Sequence, residues 1–402
     1  MHYPELHQHF AETLPGMFGT VAPTHFPNAQ VSYLNESVAS ELDLDTEWLR
    51  SDEGIAWMCG ATGGVATAYA GHQFGSFVPL LGDGRATLLG DRSGYEIQLK
   101  GSGRTPFSRP GSDGKGPLTA MLREYLVSEH MHAIGVPTTR ALAVISTGET
   151  IMRTSGPVPA GIMVRVARSH LRVGSVQYAA TQSHELLEAV VHAAGFDAAE
   201  RLLEVVVDKQ LELVAQWMRY GFVHGVMNTD NTALSGETID YGPCAFTQGF
   251  NPHSCFSSID RHGRYCFGAQ PNVIAWNLVR LAEALLPLMP ESSTNNILAT
   301  VPERWEGATK RWFGPNGLDA VVGADDLAAY NRKHGVNGRP GPLYVPKNFA
   351  LQDALDAVEH DGDYRLFTAL LQAVTHPYDA DAGEPWMLER EPDGAFTTFC
   401  GT

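Results

Sequence analysis

The chain has 402 residues, 44% of them hydrophobic and 9% aromatic, and carries a formal charge of −17 at pH 7. That apolar content excludes a disordered chain, and the want of any apolar run of about 18 residues excludes a spanning helix. The acidic balance argues against a nucleic-acid surface, which needs clustered Lys and Arg, but it permits a nucleoside triphosphate held by a few cations placed locally.

The first residues, MHYPELHQHFAETLP, lack the basic start and apolar core of a secretory signal and the arginines of a transit peptide, so a cytoplasmic location is expected. The five cysteines, Cys59, Cys244, Cys255, Cys266 and Cys400, form no CxxC pair and no zinc-ligand spacing, and read first as ordinary thiols. Residues 1–68 form a scaffold segment whose one helical stretch is SVASELDLDTEWL (37–49). Between residues 69 and 180 the pattern turns to strands. GRATLL (84–89) and YEIQLK (95–100) fit a hairpin, and PLTAMLREYLVSEHMHAIG (117–135) has apolar residues at helical spacing, with Pro117 near its start and Gly135 past its end. TRALAVIST (139–147) and GIMVRVAR (161–168) restore strand character, which suggests one mixed sheet with a helix packed on it, the smaller of two lobes. From 181 to 300 the chain reads as a helical lobe, with HELLEAVVHAAG, ERLLEVVVDKQLELVAQWMRYG and NVIAWNLVRLAEALLPL interrupted by the turn-rich stretch 221–243. Residues 301–402 form a short helical extension and a cysteine-containing tail.

Candidate chemistry lies in the irregular segments. In the turn at Gly82 and Gly84, backbone N–H groups can approach a phosphate with no side chain intervening, and Arg85 supplies a cation, although glycines in a tight hairpin usually mean only a turn. Lys100 ends a strand and Glu124 lies on the following helix, an arrangement in which a helix carboxylate holds a phosphate-binding lysine, although taken alone the pair reads more readily as a solvated strand end and a solvated helix face. Residues 224–231, HGVMNTDN, match the kinase catalytic loop H-R-D-x-x-x-x-N at its first and last positions, and Asp240-Tyr-Gly242 follows where a kinase has D-F-G. Asn231 and Asp240 are oxygen ligands suited to Mg²⁺ between nucleotide phosphates. Val226 stands where a kinase carries its base, leaving Asp230 as the one carboxylate of the loop able to draw a proton from an attacking hydroxyl; at its ordinary pKa it would be ionised at neutral pH. Arg165 and Arg172, between the lobes, are suited to bidentate phosphate contacts, or are two surface arginines.

In this order the residues resemble the selenoprotein-O family of pseudokinase-fold proteins. The matching blocks include YAGHQFGSFVPLLGDGRATLLGD, QLKGSGRTPFSRPGSDGKG, LREYLVSEHMHAIGVPTTRAL, MVRVARSHLRVG, HGVMNTDNTALSGETIDYGP and PNVIAWNLVRLAEAL, with a weaker echo over residues 344–379. The resemblance implies an α+β, protein-kinase-like two-lobed fold, with a mixed-sheet N-lobe and a mainly helical C-lobe. ATP would bind in reversed orientation, and AMP would pass to Ser, Thr or Tyr hydroxyls of protein substrates, self-modification included, with pyrophosphate leaving. By motif, Gly82, Gly84, Arg85, Lys100, Asp113, Gly114, Arg165, Arg172 and Asp240 would contact the nucleotide, with Glu124 positioning Lys100. Asn231 and Asp240 would hold Mg²⁺, or Mn²⁺ in its place, and Asp230 would be the base. The same motifs leave open a kinase acting on a protein or a small molecule, and a non-catalytic nucleotide-binding scaffold. The resemblance further implies a disulfide from Cys255 to Cys400 in the tail FTTFCGT, with two unpaired thiols as the alternative. Relatives carry a longer helical region before the C-terminal block, which here is short around residues 303–340.

Overall fold

The computed structural model describes residues 3–391 and 395–399. Its centre is a sheet built from β1 (Phe18–Val21), β2 (Gln30–Leu34), β3 (Gly64–Thr67), and, beyond a separate hairpin of β4 (Gly71–Gln73) and β5 (Ser76–Val78), from β6 (Ala86–Arg92), β7 (Tyr95–Lys100), the two-residue β8 (Gly116–Pro117), β9 (Arg140–Arg153) and β10 (Gly156–Ala167). The order across the sheet is β1-β3-β6-β7-β10-β9-β2, with β8 against β10. The N-terminal segment thus supplies three of its strands.

Each ladder of the sheet is antiparallel, which corrects the mixed sheet expected from the strand-helix-strand order. The helix after β7 does return the chain so that β9 runs parallel to β7. The tight turn from β9 then inserts β10 between them, antiparallel to both. A second correction falls in the scaffold segment. SVASELDLDTEWL is two short helices, Glu36–Glu41 and Thr46–Arg50, because Asp43 turns left-handed at φ 51° and the Asp45 carboxylate caps the second helix through Glu47 N.

Alternation along the strands decides what faces the site. Ile97 and Leu99 of β7 and Val164 and Val166 of β10 pack beneath the N-terminal helices with Leu42, Leu49 and Trp57. Gln98 and Lys100, opposite Arg165 and Met163 in the register, therefore point to the other face. That face is covered by the helix Leu118–Ala133, in which twelve of sixteen residues are buried. It is buried on its far side as well, since Arg123 donates to Gln352 (2.7 Å), Thr119 to Glu359 (3.1 Å), and His130 Nδ1 lies 2.9 Å from Val374 O on the helices Asn348–Asp361 and Arg365–Thr375. The C-terminal block thereby wedges Glu124 against the sheet.

The helical part is organised by Ala199–Tyr220, ended by a left-handed Gly221 at φ 74°, and by Gln270–Leu285. Their buried amides hold the segment between β11 (Phe222–Val223) and Ala233. Gln270 accepts from His224 N and donates to Phe222 O, Asn277 donates to Met227 O (3.0 Å), and Gln210 donates to Ala233 O (2.6 Å). An irregular loop is thus fixed by groups that would otherwise be unsatisfied in the core. Among the described residues no helix is long and apolar enough to cross a membrane.

Candidate active site

A cavity of about 1330 Å³ opens between the sheet and the helical part. Gly82, Gly84, Arg85, Lys100, Asp113, Arg165, Asp230, Asn231 and Asp240 all line it, bringing together nine of the twelve residues predicted as site residues from segments up to 158 positions apart. The other three stand behind the wall: Glu124 under Lys100, Arg172 beneath Tyr69, and Gly114 at the base of the loop that carries Asp113.

At the deep end four charged side chains form one cage. Lys100 Nζ donates to Glu124 Oε2 at 2.6 Å and to Asp240 Oδ1 at 2.5 Å. Arg165 Nη2 donates to Glu124 Oε1 at 2.5 Å and Asp240 Oδ1 at 2.6 Å, while its Nη1 reaches Gln98. Burial opposes ionisation of both carboxyls, and the adjacent cations outweigh it. Lys100 and Arg165 hold Glu124 below its ordinary value, and with Arg172 they hold Asp240 well below it. Asp240 itself takes left-handed backbone at φ 65°, a region Asp tolerates better than most residues, and this turns its carboxylate toward the cations.

The residues of the segment 224–231 divide by their surroundings. His224 is fully buried, with Nε2 2.8 Å from Ile239 O, so it pins the loop to the residue preceding Asp240. Burial pushes its pKa down, which suits a neutral ring in that structural place. Asn231 Nδ2 donates to Val226 O at 2.9 Å, so its Oδ1 is the atom that could ligate a cation, on a side chain that lines the cavity. Asp230 is 8% exposed and its Oδ1 has no hydrogen-bond partner. Burial pushes its pKa up to about 6, with Arg172 and Gln73 pulling the other way, so it is a stronger base than a solvated Asp and still mostly ionised at pH 7. Arg172 holds this loop from behind. Its Nη1 donates to Asp230 O at 2.9 Å, and its guanidinium lies 4.4 Å from the Tyr69 ring centroid.

The glycine turn is held by Asp83, whose Oδ2 accepts from Thr67 N, Thr67 Oγ1 and Gln98 Nε2. Gly82 has φ 66°, and a Cβ there would sit 2.4 Å from Phe107 Cγ, so no larger residue fits. Sequence reading missed Asp83, Tyr69, Gln73 and Gly71. A Cβ on Gly71 would meet Asp230 Oδ1 at 2.5 Å, so its glycine is what leaves room for that carboxylate. Asp83 had a signal, as the acid between the two glycines; the others had none short of the fold.

The expected Cys255–Cys400 disulfide is corrected. Cys255 is bonded to Cys266, because Asp260 accepts from Arg264 N and Tyr265 N and turns the chain back through Gly263 (φ 69°), bringing Cys266 beside it. Cys400 lies outside the described residues. The tail nevertheless reaches the segment after Asp240, where Thr398 Oγ1 donates to Pro243 O at 2.7 Å and Thr398 N to Phe256 O at 2.8 Å.

The family model described as "Protein adenylyltransferase SelO" matches residues 4–314. The chain belongs to the SelO family. It is similar to the "Protein nucleotidyltransferase YdiU" of Mycobacterium sp. (strain KMS), 40% identical over 475 aligned residues that cover 98% of both chains. The proteins of the same description from Geobacillus kaustophilus (strain HTA426), 41% identical with 96% of both chains covered, and Rhodococcus jostii (strain RHA1), 40% identical with 98% of this chain and 94% of the other covered, stand equally close. The alignment to the mycobacterial protein is longer than the 402 residues of this SelO chain, so that relative carries segments absent here. SelO membership makes this chain a nucleotidyltransferase.

Proposed function

We propose that this SelO protein transfers AMP from ATP to Ser, Thr or Tyr hydroxyls of proteins, its own included, in a kinase-like frame whose N-lobe spans 69–180 and whose helical C-lobe spans 181–300. The terminal phosphates enter the deep end of the cavity and the α-phosphate faces outward to the acceptor. The reaction takes place in the cytoplasm. The observation that carries this reading is the placement of charge. Two buried cations, Lys100 and Arg165, share carboxylates at the deep end, and among the described residues the one fully buried carboxylate oxygen without a hydrogen-bond partner belongs to Asp230 on the loop beside them.

Lys100 and Arg165 exchange part of their bonding to Asp240 for the β- and γ-phosphates, so the departing pyrophosphate is neutralised by groups already oriented for it. Asn231 and Asp240 fit a divalent cation, the first through its amide oxygen and the second as an ionised carboxylate. Mg²⁺ or Mn²⁺ there would neutralise charge between the phosphates. Asp230 accepts the proton of the acceptor hydroxyl as its oxygen bonds to the α-phosphorus and the bond from that phosphorus to pyrophosphate breaks. Gly82 and Gly84 let the backbone approach the nucleotide, and the Asp113–Gly114 loop covers it. Val226, at the position of a kinase base, cannot accept a proton.

Product chemistry tests the assignment. A cell lysate given the protein and ATP labelled at the α-phosphate should yield labelled protein, and the same lysate with Asp230→Ala should not. Label appearing only from the γ-phosphate would establish a kinase instead.

A further inference from the structure

We propose that Arg109 is a further nucleotide-binding residue, a phosphate contact supplied by the loop across the cavity mouth. The inference rests on the reading of this cavity as the ATP site. The loop between β7 and β8 is fastened at both ends. On one side Thr105 Oγ1 donates to Asp83 O at 2.6 Å and Ser108 Oγ to Gly84 O at 2.5 Å, tying it to the glycine turn. On the other side Arg153 donates to both oxygens of Asp113, at 2.8 and 3.1 Å, and Lys115 to Glu149 at 2.7 Å, tying it to the C-terminal part of β9. Arg109 is the first residue past the glycine-turn fastening; it lines the cavity and is exposed.

Its lack of a partner sets it apart. Lys100 and Arg165 share Glu124 and Asp240, Lys115 has Glu149 and Arg153 has Asp113, whereas the Arg109 side chain makes no hydrogen bond, ion pair or ring contact among the described residues. An exposed arginine is ordinarily just solvated. Here, however, the cavity wall also carries Asp83, Asp113, Asp230 and Asp240, and the chain as a whole is strongly acidic. A triphosphate entering this field meets cations already neutralised by carboxylates, and a guanidinium with none adds attraction that those cations do not. Its place directly after Ser108 sets it beside the turn whose backbone is shaped for phosphate approach, so a charge-assisted contact to the nucleotide needs the side chain to swing and leaves both fastenings intact.

The test is equilibrium binding of ATP and of adenosine to the full chain, for wild type, Arg109→Ala, Arg109→Lys and Lys100→Ala. Loss of one charge-assisted contact predicts ATP binding weaker by about tenfold or more in Arg109→Ala, partial recovery in Arg109→Lys, and adenosine binding within about twofold of wild type. Wild-type ATP affinity in Arg109→Ala, with Lys100→Ala weakened, would overturn the proposal and leave the ATP site standing. A parallel loss for adenosine would overturn it too, by moving the contact to the nucleoside. Unchanged ATP affinity in Lys100→Ala would remove the ATP-site reading and this proposal together.

Discussion

Asp230→Asn is expected to lower the rate of AMP transfer by about 10² to 10⁴-fold, the usual contribution of a positioned general base, with ATP binding close to wild type. The asparagine keeps the shape that Gly71 accommodates and loses the ability to take a proton. The wild-type pH profile carries the same information. A base acts in its ionised form, and burial places the Asp230 pKa at about 6, so activity should climb through that pH and level off above it, falling about tenfold per unit on the acid side. A solvated aspartate would move that limb to about pH 4. Initial rates of protein labelling between pH 5 and 8, at ATP well below its KM so that the free enzyme's groups are reported, check both parts. A flat profile over that range, or an asparagine variant as fast as wild type, would remove Asp230 from the role of base.

Glu124→Ala should be the most damaging single change to the site's architecture. Glu124 is buried and receives Lys100 on one oxygen and Arg165 on the other; its removal leaves two buried cations to share Asp240 alone. Breaking a buried ion pair from one side costs about 3–5 kcal/mol, because the remaining charge is left uncompensated. Denaturant unfolding should register that loss, and ATP binding should fail with it, since Lys100 would lose the group that fixes its position. Glu124→Gln, which keeps one acceptor oxygen, should lie between the two. An alanine variant as stable as wild type, binding ATP equally well, would show that the cage does not organise the site.

Much of the sheet was legible because its strands carry their own pattern. YEIQLK alternates Glu96, Gln98 and Lys100 with Ile97 and Leu99, and the two faces meet different surroundings as that alternation requires. The helix Leu118–Ala133 was legible for the same reason at helical period. What failed was local pattern overridden by distant pairing. FGTV, QVSYL and GVAT are short stretches with little alternation, and they become strands only because distant edges are offered to them: β9 to QVSYL, β6 to GVAT, and GVAT in turn to FGTV. The extension of β9 to Arg153, past Gly148 and through a polar run, comes from its long antiparallel partner β10.

The site divides the same way. Lys100, Glu124 and Asp240 could be named from kinase-like order, but nothing in their spacing says that one carboxylate oxygen of Asp240 receives two cations. Arg165 was ambiguous in sequence, since an exposed arginine and a caged one look alike; the register opposite Gln98 decides it. Arg172 stands behind the wall, on Tyr69 and the Asp230 carbonyl, a place only the fold reveals. The pairing of Cys255 with Cys266 depends on a turn set by Asp260 and Gly263, which a reading centred on the tail cysteine passes over.

The inverted nucleotide is the claim on which the rest depends, and a crystal structure with a non-hydrolysable ATP analogue and Mg²⁺ tests it most directly. The β- and γ-phosphates should lie against Lys100 and Arg165, with the α-phosphate outermost of the three and nearest Asp230. Adenine buried at the deep end with the γ-phosphate turned to solvent would contradict it.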